Sequence, residues 1–199
     1  MTALRLRLEN LEAEVPSSGR PSLEGAVAEV ERLSRLVEGL LALARSDASE
    51  ETGERLDLGR LVESRAEAWS ALAGERGVRL ETSQDGPAIV RAAPARVEQV
   101  LDNLLANALE VSPEDGTIRL GTSRGRGRVE LHVVDEGPGL SAEERERAFD
   151  RFWRGRGSGE GSGLGLAIVK RLVAADDGRV ELRAAAPRGI DAVVELHPS

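Results

Sequence analysis

The chain has 199 residues, 40% hydrophobic and 31% charged, with a net charge of −8 and no cysteine. That length suits one well-packed domain or a domain with an appendage, and the composition is that of a soluble globular protein. It excludes a disulfide framework and a thiolate metal site, argues against a nucleic-acid partner, which would need a basic face, and holds no apolar run near the roughly 18 residues that cross a bilayer. No membrane contact is expected within this stretch. Aromatic residues make up only 2%, so the core must be built from Leu, Val, Ala and Ile.

In chain order, Leu4, Leu8, Leu11 and Val15 fall at helical spacing, and Pro16 to Pro21 form a turn. A second helix is expected from about Ser22 to Arg45. Its apolar residues repeat in sevens, Leu23, Val30, Val37 and Ala44, with Ala26, Leu33 and Leu40 three further on. Two such helices make a hairpin with too little buried surface of its own. Pairing with a second copy into four helices is the expected solution, and an ordinary hairpin packed on its own domain is the alternative. The expected division is a helical hairpin over 1–48, a polar linker over 49–56 and a second unit over 57–199.

Within that unit a helix is expected from about Leu58, with Leu61, Val62, Ala66, Trp69 and Leu72 on one face. Short strands follow at Val78–Glu81 and Ile89–Arg91, separated by the turn QDGP. Pro94 opens a helix running to about Val111. Then come the strands TIRLGTS and RVELHVVD, the amphipathic SAEERERAFDRFWRG, a glycine run, the helix LGLAIVKRLVAA, and two strands flanking the turn Pro187–Gly189. Strands in consecutive pairs imply an α+β fold with a mixed or mostly antiparallel sheet and helices on one face, not a dinucleotide-binding alternation.

Glycine occupies every second position from Gly155 to Gly165. Such a run packs no core, but it approaches a ligand closely and offers backbone N–H groups. A helix starting near Gly163 adds unpaired N–H groups and a positive dipole end, which together make an anion site suited to phosphates. The only lysine, Lys170, lies inside that helix and is not preceded by glycine, so a P-loop is excluded. On the helix from Pro94, Gln99, Asn103, Asn107 and Glu110 form one narrow stripe, with Val97, Leu101, Leu104, Leu105 and Ala108 well away from it. That stripe reads equally as a solvated face or as a set of neutral oxygen donors for phosphate-bridged Mg²⁺. Asp135, at a strand end before Gly137 and Gly139, either initiates a turn or accepts a hydrogen bond from an exocyclic amine such as that of adenine. An EF-hand is excluded, because Gly137 stands where an acidic ligand belongs. Phe149, Phe152 and Trp153 are expected to fasten the start of the glycine segment. Beside them, Arg151, Arg154 and Arg156 are either surface arginines or phosphate-neutralising ones.

These pieces, in this order, resemble the ATP-binding catalytic domain of sensor histidine kinases, in the superfamily shared with gyrase B, Hsp90 and MutL. EQVLDNLLANALEVSP looks like the family's N box, DEGPGL its G1 box, AFDRFWRG its F box and GSGLGLAIVKRLV its G2 box. VERLSRLVEGLLALARSD looks like the second helix of the dimerisation hairpin. The resemblance implies the two-layer α/β sandwich of the Bergerat fold, binding of ATP and Mg²⁺, a homodimer through the hairpin, and a response regulator as partner of the full kinase. It places the chain in the cytoplasmic portion of a membrane-anchored sensor. Residue by residue, Asn107 would hold the metal, Asn103 would support the phosphates and Asp135 would meet the adenine amine. Gly137 and Gly139 would let the backbone pass the nucleotide. Arg154 would face phosphate, and Gly161, Gly163, Leu164 and Gly165 would form the lid hinge and the phosphate-binding helix start. In the ATPase relatives a general-base Glu stands at the position of Asn103, which cannot take a proton from water. The implied activity is therefore presentation of the γ-phosphate to a nucleophile rather than efficient hydrolysis.

Three departures stand out. Glu110 and Val111 occupy positions where the family usually carries Lys and an aromatic residue. The phosphoacceptor His box is absent from these 199 residues. His132 lies in a strand and His197 near the end, so no catalytic nucleophile is assigned and autophosphorylation of this chain alone is not expected. Two other readings remain, a non-catalytic nucleotide-gated regulatory module and an anti-sigma-factor-type serine kinase, the latter disfavoured by the hairpin.

Overall fold

The computed structural model describes residues 19, 20, 23, 25, 53–125, 127–155 and 162–199. The helical hairpin expected over 1–48 therefore falls almost wholly outside the described residues, and so do Arg156 and Gly161. The described elements are β1 (Glu54–Asp57), α1 (Leu58–Glu75), β2 (Arg79–Gln84), β3 (Ile89–Ala92) and α2 (Pro94–Val111). They continue with β4 (Thr117–Arg124), β5 (Val129–Val134), α3 (Ala142–Arg147), α4 (Gly165–Ala175), β6 (Arg179–Ala184) and β7 (Ile190–Leu196).

Local chemistry sets the helix starts. Asp57 caps α1 by accepting from the amides of Gly59 at 3.1 Å and Arg60 at 3.4 Å. Pro94 opens α2, where its missing N–H costs nothing. Ser141 and Glu144 form a reciprocal capping box on α3. No side chain caps α4, whose N-terminus bears on the site below.

Five strands form a mixed sheet in the order β2-β4-β5-β7-β6; β2 pairs parallel with β4 and the other pairs are antiparallel. The expected α+β class and mixed sheet are both present. Two details differ. Glu54–Asp57, expected mostly as linker, pairs with Ile89–Ala92 as a separate two-stranded sheet. β2 and β3 do not pair across the QDGP turn, because β2 is drawn to β4 instead.

The alternation along β5 shows why helices cover one face. Val129, Leu131 and Val133 are buried and Glu130 and His132 only partly so, which puts an apolar row toward the helices and a polar row away from them. Leu101, Leu104 and Leu105 of α2 and Val169 and Leu172 of α4 close the core over Ile118, Leu120 and Leu131. α1 is tied to α2 through Asp102, which accepts from Trp69 Nε1 at 2.8 Å and lies 3.6 Å from Arg65 Nη1.

The helix-free face is a polar lattice centred on His132, which is the sheet histidine expected. Its Nδ1 donates to the Asp191 carboxylate at 3.1 Å, and its Nε2 lies 3.0 Å from Ser123 Oγ and 3.4 Å from Glu130 Oε2. The Asp191 hydrogen bond raises the His132 pKa, burial opposes it, and the charges of Asp191 and Glu130 raise it further while Arg183 opposes. A raised folded pKa stabilises the fold fully below the ordinary histidine value of 6.5, and that contribution is lost as pH rises through the folded value. Urea denaturation across that window should therefore show the native chain losing more stability with rising pH than His132→Gln. Parallel curves would remove the linkage.

Candidate functional site

Between the N-terminus of α4, the second half of α2 and the ends of β5 and β7 lies a cavity of about 560 Å³. One wall is the polar stripe of α2: Gln99, Asn103, Asn107 and Glu110 all line it. The opposite face of the same helix, with Val97, Leu101, Leu104, Leu105 and Ala108, is buried in the core. The helical period therefore assigns the amides to the cavity and not to a solvated face.

Asn103 Nδ2 donates to the Gln99 carbonyl one turn back at 2.8 Å, which leaves its Oδ1 for other partners. Asn107 Nδ2 is buried without a hydrogen-bond partner, a costly condition that a ligand would relieve. A Cβ on Gly165 would stand 3.2 Å from the Asn107 amide and 3.5 Å from Asn103 Oδ1, so glycine keeps this passage clear. Gly165 also opens α4, and no side chain caps that end. Unpaired N–H groups and two carboxamides thus meet at one end of the cavity, which suits an anion and its counterion.

The other end is apolar apart from one acid. Val133, Leu182, Ile190 and Ala192 form its lining around Asp135, which is 6% exposed. Asp135 Oδ1 accepts from the amides of Gly137 at 2.8 Å and Ile190 at 3.3 Å. No hydrogen bond from a described residue reaches Oδ2. Burial pushes the Asp135 pKa up, and the two amide bonds, Gly137 first, partly offset it. Glu136, its neighbour, is drawn aside by Arg119 at 3.1 Å and by the Thr117 amide at 3.2 Å.

Of the other expected site residues, Gly139, Arg154 and Gly163 line the cavity. Gly137 serves from behind: a Cβ there would approach Val111 Cγ2 to 2.8 Å. Leu164 is 1% exposed and anchors the start of α4 in the core rather than facing the cavity. The aromatic cluster divides. Trp153 lines the cavity and Lys170 Nζ lies 5.6 Å from the Phe149 ring centre, whereas Phe152 is 62% exposed. Phe152 fastens the glycine segment through its backbone instead, donating its N–H to the Gly163 carbonyl at 2.9 Å. Sequence reasoning missed Gly189 and the apolar lining, because strand pairing across 55 positions brings Ile190 to Asp135.

The residues fit Mg²⁺ arriving with phosphate. Asn103 and Asn107 are neutral oxygen donors, and among the described residues no group of three or more His, Cys, Asp or Glu is placed to hold a metal ion by itself.

A family model described as "Histidine kinase-, DNA gyrase B-, and HSP90-like ATPase" matches residues 92–199. The chain is 33% identical to the sensor protein CopS of Pseudomonas syringae pv. tomato over 141 residues, covering 70% of this chain and 28% of CopS. It is 30% identical to the signal transduction histidine-protein kinase BaeS of Escherichia coli strain K12 over 202 residues, covering 98% of this chain and 43% of BaeS. It thus spans less than half the length of these relatives. Full-length ShkA, solved in complex with AMPPNP, superposes with a TM-score of 0.74 at 28% identity, covering 98% of this chain and 44% of ShkA.

Gly189 provides a test of this geometry. Its φ is 104°, and a Cβ there would stand 1.9 Å from the Asp135 carbonyl oxygen. Gly189→Ala should lower the melting temperature by more than the backbone strain of about 1–3 kcal/mol alone implies. Gly86→Ala supplies that baseline, since Gly86 has φ 77° and open space around it. Equal losses in the two variants would show that the Gly189 turn does not support Asp135.

Proposed function

Because the chain belongs to the histidine kinase-, DNA gyrase B- and HSP90-like ATPase family, we propose that it is the ATP-binding kinase core of a sensor histidine kinase. On this reading it binds Mg²⁺-ATP and presents the γ-phosphate to a histidine in two-component signal transduction, from the cytoplasmic side of a membrane-anchored sensor. Among the described residues no helix is long and apolar enough to cross a membrane. The homodimer through the 1–48 hairpin and the response regulator belong to the same proposal.

The observation that carries the reading is the pairing of two unlike ends in one cavity. At one end the orphaned Asn107 amide faces the uncapped start of α4, and at the other a buried carboxylate waits among apolar side chains. Asp135, ionised, accepts the adenine amine. The apolar lining excludes water from the base, and Gly139 lets the backbone pass it. Asn107 would offer its oxygen to the phosphate-borne metal and its unpartnered Nδ2–H to a phosphate oxygen, with Asn103 beside it, while Gly163, Gly165 and Arg154 face the phosphate chain, with Gly161 assigned to the same segment. Mg²⁺, when bound, neutralises part of the triphosphate charge. Asn103 has no basic group to activate water, so transfer to a protein nucleophile is favoured over hydrolysis.

Asp135→Asn places an amide donor where the carboxylate oxygen stood. By calorimetry it should weaken Mg²⁺-ATP binding by on the order of tenfold or more. Affinity should also fall with decreasing pH at values above those where an ordinary carboxylate titrates, because the raised pKa protonates Asp135 early. Unchanged affinity in the variant would remove the assigned role. With γ-labelled ATP the chain alone should give no acid-labile phosphoprotein, since its two histidines are His132, held in the sheet, and His197. Label on the chain would overturn that assignment.

Glu110 favours a second reading, in which nucleotide only gates a partner interface, because this acidic residue lines the same cavity. Phosphoryl transfer from Mg²⁺-ATP to a separately supplied His-bearing hairpin decides between the two. Transfer supports the kinase, and tight binding without transfer supports the module.

A further inference from the structure

The most deeply buried ion pair described lies outside the cavity. Arg96, near the start of α2, meets Asp176, which caps the end of α4: Arg96 Nε donates to Asp176 Oδ2 at 3.1 Å and Nη2 to Oδ1 at 2.7 Å. Their side chains are 8% and 4% exposed. The same Oδ1 accepts the Ala93 amide at 3.2 Å, so one carboxylate holds both the α2 side chain and the turn before α2.

A buried pair of this kind is weak support for stability, since desolvating two charges offsets much of their attraction. Its geometric content is stronger. Two parallel N–H···O bonds specify one offset between the helices, whereas apolar side chains resist separation more than sliding. Asn107 lies about three turns beyond Arg96 on α2, and Gly165 about three turns before Asp176 on α4, near 16 Å in each case. The helices therefore run antiparallel, with the ion pair at one end and the Asn107–Gly165 approach at the other. At that second end glycine supplies no side chain to set the register.

We propose that Arg96 is a positioning residue for the phosphate end of the cavity. Through Asp176 it fixes how far α4 is slid along α2, and so where the first amides of α4 stand relative to Asn103 and Asn107. This rests on the function proposed above. The base end, around Asp135, is held by the β5–β7 pairing and is independent of the clasp.

That independence supplies the test. Arg96→Met with Asp176→Asn removes both charges and keeps an acceptor for the Ala93 amide. Binding of Mg²⁺-ATP and of adenosine would be measured on the full chain by calorimetry, alongside thermal melts. The double variant should still melt cooperatively, bind adenosine within about twofold of the native chain, and lose about tenfold in Mg²⁺-ATP affinity. Equal losses for the two ligands would mean a merely structural pair and overturn the proposal, as would unchanged Mg²⁺-ATP affinity. Should the double variant not fold, Arg96→Lys keeps the charge but not the two-pronged grip and reads the same split at smaller amplitude. Failure of the native chain to bind Mg²⁺-ATP would instead refute the proposed function.

Discussion

The structure depends on a contact from which a side chain has been left out. Where α4 begins, Gly165 comes so close to Asn107 that a Cβ would sit 3.2 Å from its amide. Further along both helices Leu, Ile and Val are buried in the core. The helix pair is therefore packed at one end and open at the other, and the open end leads into the cavity. An apolar residue at position 165 would have pressed on the amides of Asn103 and Asn107 and closed the passage. The cavity is thus a consequence of core design, with glycine placed where the period of α4 would otherwise put a core residue.

Charge is distributed to the same end. The chain carries an excess of acid, with a net charge of −8, yet the cavity receives few carboxylates. Glu136 is turned aside by Arg119, and the acids of the helix-free sheet face are absorbed by His132 and Arg183. Glu110 and Asp135 are the exceptions, and Asp135 is buried and held by two amides from separate segments, Gly137 and Ile190. Those bonds fix one oxygen, and no hydrogen bond from a described residue reaches the other. The burial of Asp135 also raises its pKa, so on the proposed reading recognition and proton affinity are linked in one group.

Much of this was legible in the sequence, and the parts that were not share a cause. The amide stripe of α2 and the buried face opposite it followed from helical spacing alone, and Pro94 and the glycine run placed the helix starts. Asp135 stood out as an acid closing an alternating strand. β1 escaped because four residues, ERLD, carry no periodic signal and acquire strand geometry only by pairing with β3. The parallel pairing of β2 with β4 and the apolar lining around Ile190 depend on contacts far apart in the chain, which local pattern does not encode. Phe152, expected to fasten the glycine segment, does so through its backbone at a φ of 65° while its ring is exposed, a division that an aromatic in the sequence does not reveal.

Glu110 fits the proposed function once the donor set is considered as a whole. Asn103 and Asn107 are neutral, and among the described residues no acidic cluster waits for a bare cation. A carboxylate in the wall would repel an uncomplexed triphosphate and tolerate one whose charge is already reduced by a divalent ion. On the proposed reading, neutral amides, an uncapped helix start and one nearby acid favour the metal–nucleotide complex over either component alone. Val111 Cγ2 lies against Gly137, behind the turn that follows Asp135, which on the proposed reading is the base side. On the proposed reading, the two residues that depart from the family's usual pattern would stand at both ends of the same ligand: one would bear on its charge, the other on the backbone behind its base.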